Sequence, residues 1–118
     1  GSMIIPPPPA SRRENNIQRR MLKELKERGC VAVKTMSQSC DGWPDITAIT
    51  PHGRTLYIEM KDDRGSLSEQ QNRICRFIGS HHATAAVVYG LEGVRLFLKD
   101  YDDDRIPHAY VVYGKGEQ

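Results

Sequence analysis

Asp45, Glu59 and Lys61 stand within the twenty residues GWPDITAITPHGRTLYIEMK (42–61), and together they could run one kind of chemistry. A hard divalent cation such as Mg²⁺ takes one or two carboxylates, a backbone carbonyl, waters and the phosphate oxygens of a substrate. An ion so held turns bound water into a nucleophile and offsets charge on a phosphate, while a nearby lysine holds the water or the phosphate. The same residue types also make an ordinary ion-pair ladder on a solvated strand. What separates the two readings is the company the fold gives them.

The stretch reads as a β-hairpin. Pro51, His52 and Gly53 form a three-residue turn, with proline where φ near −65° is wanted and glycine where the chain must go left-handed. That turn sets Thr50 opposite Arg54, Ala48 opposite Leu56, Ile46 opposite Ile58, and Asp45 opposite Glu59. The apolar pattern agrees, since Ile46, Ala48, Leu56, Ile58 and Met60 then share one face and a slip of one residue would expose them. Asp45, Thr47, Tyr57, Glu59 and Lys61 fall on the other face. Like charges directly opposite destabilise a sheet, so a cation is expected between the two acids.

Two helices bracket the hairpin. Ser11 reads as the N-cap of a first helix running to about Arg28 and ended by Gly29, with Ile17, Met21, Leu22 and Leu25 as its apolar stripe. Ser68 reads as the N-cap of a second helix. Ser-x-x-Glu places Glu14 in a capping box, and Ser-x-x-Gln does the same for Gln71. Capping alone would explain both. Yet Glu14 precedes Ile17, Met21 and Leu25 by three, seven and eleven residues, and Gln71 precedes Ile74 and Ile78 by three and seven, so both also point coreward.

CVAVKTM (30–36) reads as a strand before the hairpin, and TAAVVYG (84–90) as an interior strand after the second helix. Leu91 to about Lys99 fits a third helix, although VRLFL also has strand character. The fold class is therefore α/β, a mixed central sheet flanked by helices in the order αβββαβα. AYVVYG (109–114) is expected to add a strand, on a sheet edge or across a dimer.

Pro44-Asp45, the hairpin and Glu59-Met60-Lys61 resemble the PD-(D/E)XK nuclease signature. ENNIQ (14–18), DGWPD (41–45), IEMK (58–61) and GSLSEQQ (65–71), in that order, narrow the resemblance to the VRR-NUC family over residues 14–98. The resemblance implies a restriction-endonuclease-like core and a metal-dependent nuclease, of a family found alone in phages and bacteria and as a domain of a eukaryotic DNA-repair nuclease. It implies Asp45, Glu59 and the Met60 carbonyl as ligands of Mg²⁺ or Mn²⁺, Lys61 as the catalytic lysine, and Glu14 and Gln71 as the helix acid and helix glutamine. Glu14 is then expected to serve a second ion or its waters, and Gln71 to orient Lys61 or the nucleophile. Stand-alone members are similar to junction-resolving enzymes that act as homodimers, so branched DNA is the expected substrate. A binding module that grips branched DNA without cutting it, or a nuclease for other DNA or RNA, is the alternative.

The remaining sequence is compatible with this. At 118 residues the chain suits one domain, taken as 11–118, after a tag remnant at Gly1 and Ser2 and a proline-rich arm, IIPPPPA, within 1–10. No apolar run approaches the ~18 residues of a membrane span. Cys30, Cys40 and Cys75 lack metal-ligand spacing and read as reduced thiols, so a cytoplasmic location is expected, in a bacterial host if the chain is phage-encoded. Although the net charge is only +2, residues 11–34 hold eight basic and three acidic side chains. Arg12, Arg13, Arg19, Arg20 and Lys34 are thus candidate phosphate contacts, with a solvated helix face as the plainer reading. Trp43 could stack on a base, but packing against its own loop is the commoner use. Asp102 to Asp104 lack the ordered loop of a calcium site. His81 and His82 follow a helix end without metal partners.

Overall fold

The computed structural model describes residues 12–36 and 40–115, so the proline arm, Ser11 and its cap, and residues 37–39 and 116–118 lie outside it. Helix α1 spans Arg12–Glu27, and Gly29 at φ +84° turns the chain into strand β1, Val31–Lys34. β2, Ile46–Ile49, and β3, Thr55–Lys61, form the hairpin. Its register is the expected one, with Ile46 paired to Ile58 and Ala48 to Leu56. At the turn the Thr50 carbonyl accepts from the Gly53 amide at 2.8 Å, and Gly53 sits at φ +87°, where a side chain would be strained.

Helix α2, Glu69–Ser80, carries the chain over one sheet face to β4, Thr84–Tyr89, which pairs in parallel with β3. A crossover of this kind is what parallel neighbours require. The ambiguous segment after β4 is helical: α3 spans Gly90–Asp102 and buries Val94, Phe97 and Leu98. Helical spacing put those residues on one stripe, which overrode the strand character of VRLFL. The tail strand β5, Tyr110–Tyr113, pairs in parallel with β4 of the same chain. Of the two placements expected for it, this is the sheet edge.

The five strands thus lie in chain order, antiparallel from β1 to β3 and parallel from β3 to β5. α1 and α3 pack on one face, where Ile17, Met21 and Leu25 meet Ile46, Ile58, Met60 and Phe97. α2 packs on the other, where Cys75 and Ile78 meet Ala85, Val87 and Tyr89. Among the described residues no helix is long and apolar enough to cross a membrane.

Candidate active site

β3 delivers Glu59, Met60 and Lys61 from its C-terminal end, between the two helical layers. Alternation sends Met60 into the α1 side and Glu59 toward α2, and Glu59 is only 1% exposed. Asp45 lies one residue before β2, next to the last registered pair, Ile46 and Ile58. Its backbone carbonyl accepts from the Thr35 amide of the β1 side, while its Oδ2 accepts from the Met60 amide at 2.8 Å. The hairpin therefore holds the two acids side by side.

Gln71 joins them from α2. Its Nε2 donates to Glu59 Oε1 at 3.1 Å, its Oε1 accepts from the Ser68 amide at 2.9 Å, and its own amide donates to Ser68 Oγ at 3.1 Å. The two readings of this residue are one device, because the capping box fixes the amide that reaches the acid. The two parts can be told apart. Ser68→Ala and Gln71→Ala should each lower stability by about 1 kcal/mol, seen in thermal unfolding. Only Gln71→Ala should also slow cleavage, by more than about tenfold if it holds the Glu59 carboxyl in place. Equal rates for the two variants would reduce Gln71 to a cap.

From α1, Glu14 Oε1 approaches Lys61 Nζ at 3.9 Å, both side chains being mostly buried. Burial raises the Glu14 pKa, against the opposing pull of Lys61. Burial also raises that of Asp45, offset by the Met60 amide. Glu59 is pushed furthest, to about 10, first by burial and then by the neighbouring Asp45 charge. Without an ion, a proton shared by Asp45 and Glu59 relieves their repulsion. Otherwise Glu59 Oε2 is a buried acceptor with no donor.

That orphaned oxygen is what a divalent cation would satisfy, so the carboxylate pair fits one. No group of three or more His, Cys, Asp or Glu side chains is placed to hold an ion among the described residues. Any ion must rely on the pair, with backbone and water oxygens completing its shell. Met60 donates its amide to Asp45 Oδ2, which keeps the Met60 backbone beside the acid pair.

The candidate nucleic-acid contacts are scattered around this centre. Arg12, Arg13, Arg19 and Arg20 are exposed along α1; Arg13 pairs with Asp63 at 3.7 Å and Arg20 with Glu24 at 3.3 Å. Lys34 is exposed at the end of β1, close enough to lower the pKa values of Glu14 and Asp45. Trp43 packs edge-on against Tyr57 of β3, with ring centroids 5.6 Å apart, so its ring rests on the sheet rather than on its own loop. Cys75 is buried beneath the acids, and burial pushes its thiol up to about 12, which rules out a thiolate nucleophile at neutral pH. His81 Nδ1 lies 2.8 Å from the Phe77 carbonyl at the end of α2, as expected of a helix-end histidine.

Gln18 received no role from the sequence. It is 4% exposed, and its Oε1 has no hydrogen-bond partner among the described residues. The signal was its spacing, one turn after Glu14, which places both on one side of α1.

A mixed sheet that presents two acids and a lysine from one hairpin, with a helix acid and a helix glutamine on either side, defines a nuclease-type domain. The model of the VRR-NUC domain matches residues 11–92, and the chain belongs to that family. A solved structure described as a VRR_NUC domain superposes with a TM-score of 0.70 at 20% identity, covering 77% of this chain and 99% of that one. No curated protein matches.

Proposed function

We propose that the chain is a Mg²⁺- or Mn²⁺-dependent DNA endonuclease selective for branched substrates such as four-way junctions. The observation that carries the reading is the Asp45 and Glu59 carboxyl pair with the orphaned Glu59 Oε2, beside Lys61. Asp45 and Glu59 would hold the ion, with the Met60 carbonyl as a further ligand. When bound, the ion supplies an activated water and charge stabilisation at the scissile phosphate. Lys61 places the water or screens charge as it develops on the phosphate oxygens. Glu14 restrains Lys61 when no substrate is present, and Gln71 keeps Glu59 in the orientation that faces Asp45. Asp45, held by the Met60 amide, cannot swing out of the site.

The basic residues of α1 and Lys34 supply the phosphate contacts. Paired incision of a four-way junction needs two such sites, so the reading includes a homodimer. β5 is an edge strand paired on one side only, so its outer edge is one surface on which a second copy could add. The test is cleavage of linear duplex, flap, single strand, RNA and four-way junction, each with Mg²⁺, Mn²⁺ or chelator. Metal-dependent paired nicks on the junction are expected. Binding without cutting under every condition would replace the enzyme by a binding module, and cutting of single strands or RNA alone would replace the substrate.

A further inference from the structure

Residues 93–115 lie beyond the region that the family model matches, yet their last described residue reaches the turn that follows Lys61. The Lys115 Nζ donates to the Gly65 carbonyl at 2.5 Å and lies 4.7 Å from the centre of the Tyr89 ring. Both partners are themselves fixed. Tyr89 is 7% exposed and packs in the α2-side core with Cys75, Ile78 and Val87. Gly65 closes a tight turn in which its amide donates to the Asp62 carbonyl at 3.1 Å and the Arg64 amide to Asp62 Oδ1 at 2.9 Å.

This turn follows directly on Lys61 and folds back over it. A carbon added at Gly65 would stand 3.5 Å from Lys61 Cδ, which is ordinary van der Waals contact. The turn therefore runs alongside the Lys61 stem. The route of the tail to it is equally constrained. Gly114, at φ +94°, crosses Gly93 so closely that an added carbon would come within 2.4 Å of the Gly93 Cα. A chain threaded there has little freedom in where it places Lys115.

We propose that Lys115 is a positioning residue for Lys61. Its ammonium, seated on the Tyr89 ring and bound to the Gly65 carbonyl, pins the turn over residues 62–65 against the lysine stem. A cation over an aromatic face that also donates to a carbonyl is held in two directions at once. The pinned turn limits the rotamers open to Lys61, so its ammonium is presented toward Glu14 and the acids without a search. This role rests on the nuclease reading for its effect on rate, but not for its effect on the turn.

The test uses Lys115→Met, which keeps the stem and removes the donor, and Lys115→Arg, which can both stack and donate. In metal-free protein, amide exchange at Arg64 and Gly65 should quicken about tenfold in Lys115→Met, remain near wild type in Lys115→Arg, and change less than twofold across β3. In steady-state cleavage with Mn²⁺, kcat should fall about tenfold in Lys115→Met with KM for DNA and the half-saturating Mn²⁺ within twofold, and Lys115→Arg should restore it. Unchanged exchange at Arg64 and Gly65 overturns the proposal. So does a raised KM with kcat intact, which would make Lys115 a phosphate contact. Should the wild type cut nothing, the nuclease reading fails and exchange alone decides whether Lys115 pins the turn.

Discussion

With Asp45 replaced by asparagine, cleavage should fall by on the order of a hundred- to a thousandfold, while the metal-free protein unfolds at the wild-type temperature or above it. The asparagine carbonyl oxygen can still accept from the Met60 amide, so the bond that fixes the residue survives. What disappears is one of two adjacent buried carboxyls, and with it the charge that raises the Glu59 pKa. The variant would thus lose a proposed metal ligand and, in the metal-free site, the need for a shared proton in one step. Lys61→Ala should separate the roles further, losing cleavage but retaining the ion. Single-turnover cleavage, calorimetric metal titration and thermal unfolding read the three quantities. An Asp45→Asn protein that unfolds, or that cuts at the wild-type rate, would place the chemistry elsewhere.

Metal binding should tighten about tenfold for each pH unit between 6 and 8, with one proton released for each ion bound. The reason is the Glu59 carboxyl, whose pKa burial and the Asp45 charge raise to about 10. At neutral pH the free site holds a proton that the ion must displace. The same shift sets the sign of a stability effect. Between the ordinary carboxylate pKa of 4.5 and about 10, the folded metal-free protein binds a proton that the unfolded chain has lost. Stability is then greatest at the acid end of this window and falls as pH rises, by at most ~1.4 kcal/mol per unit. Glu59→Gln removes the titrating group and should flatten this slope in metal-free protein. A wild-type metal affinity independent of pH, or a slope undiminished in Glu59→Gln, would show that Glu59 is ionised in the free protein.

The hairpin was legible because two independent signals agreed on it. Pro51 and Gly53 set the turn, and Ile46, Ala48, Leu56 and Ile58 confirmed the register that turn implied. Once that register stood, the adjacency of Asp45 and Glu59 followed without any knowledge of the tertiary fold. Gln71 was half legible. Its cap is a local sequence pattern, whereas its bond to Glu59 depends on how α2 docks on the sheet, which no local signal encodes. Trp43 shows the limit from the other side, since a lone aromatic in a loop has no pattern that names its partner until Tyr57 is seen beside it. Lys115 could not have been found at all. It meets Gly65 across fifty residues of chain, and a lysine near a glycine-rich end has no pattern that marks it.

Separation along the chain also orders the site in time. The hairpin joins Asp45 to Glu59 by closing a short loop, an event on the order of microseconds. The Lys115 contact waits for α2, β4, α3 and β5 to dock, each through contacts of longer range. The folding chain thus meets its electrostatic penalty early and its stabilising brace late. A shared proton can relieve the hairpin from the outset, whereas a tightly held ion needs the walls that only the later elements provide. φ-values at Ala48 and Val112 would rank these events, with the higher value expected in the hairpin. Built in this order, the acids are brought together by a hairpin contact, and the turn beside Lys61 is reached by one of the most distant.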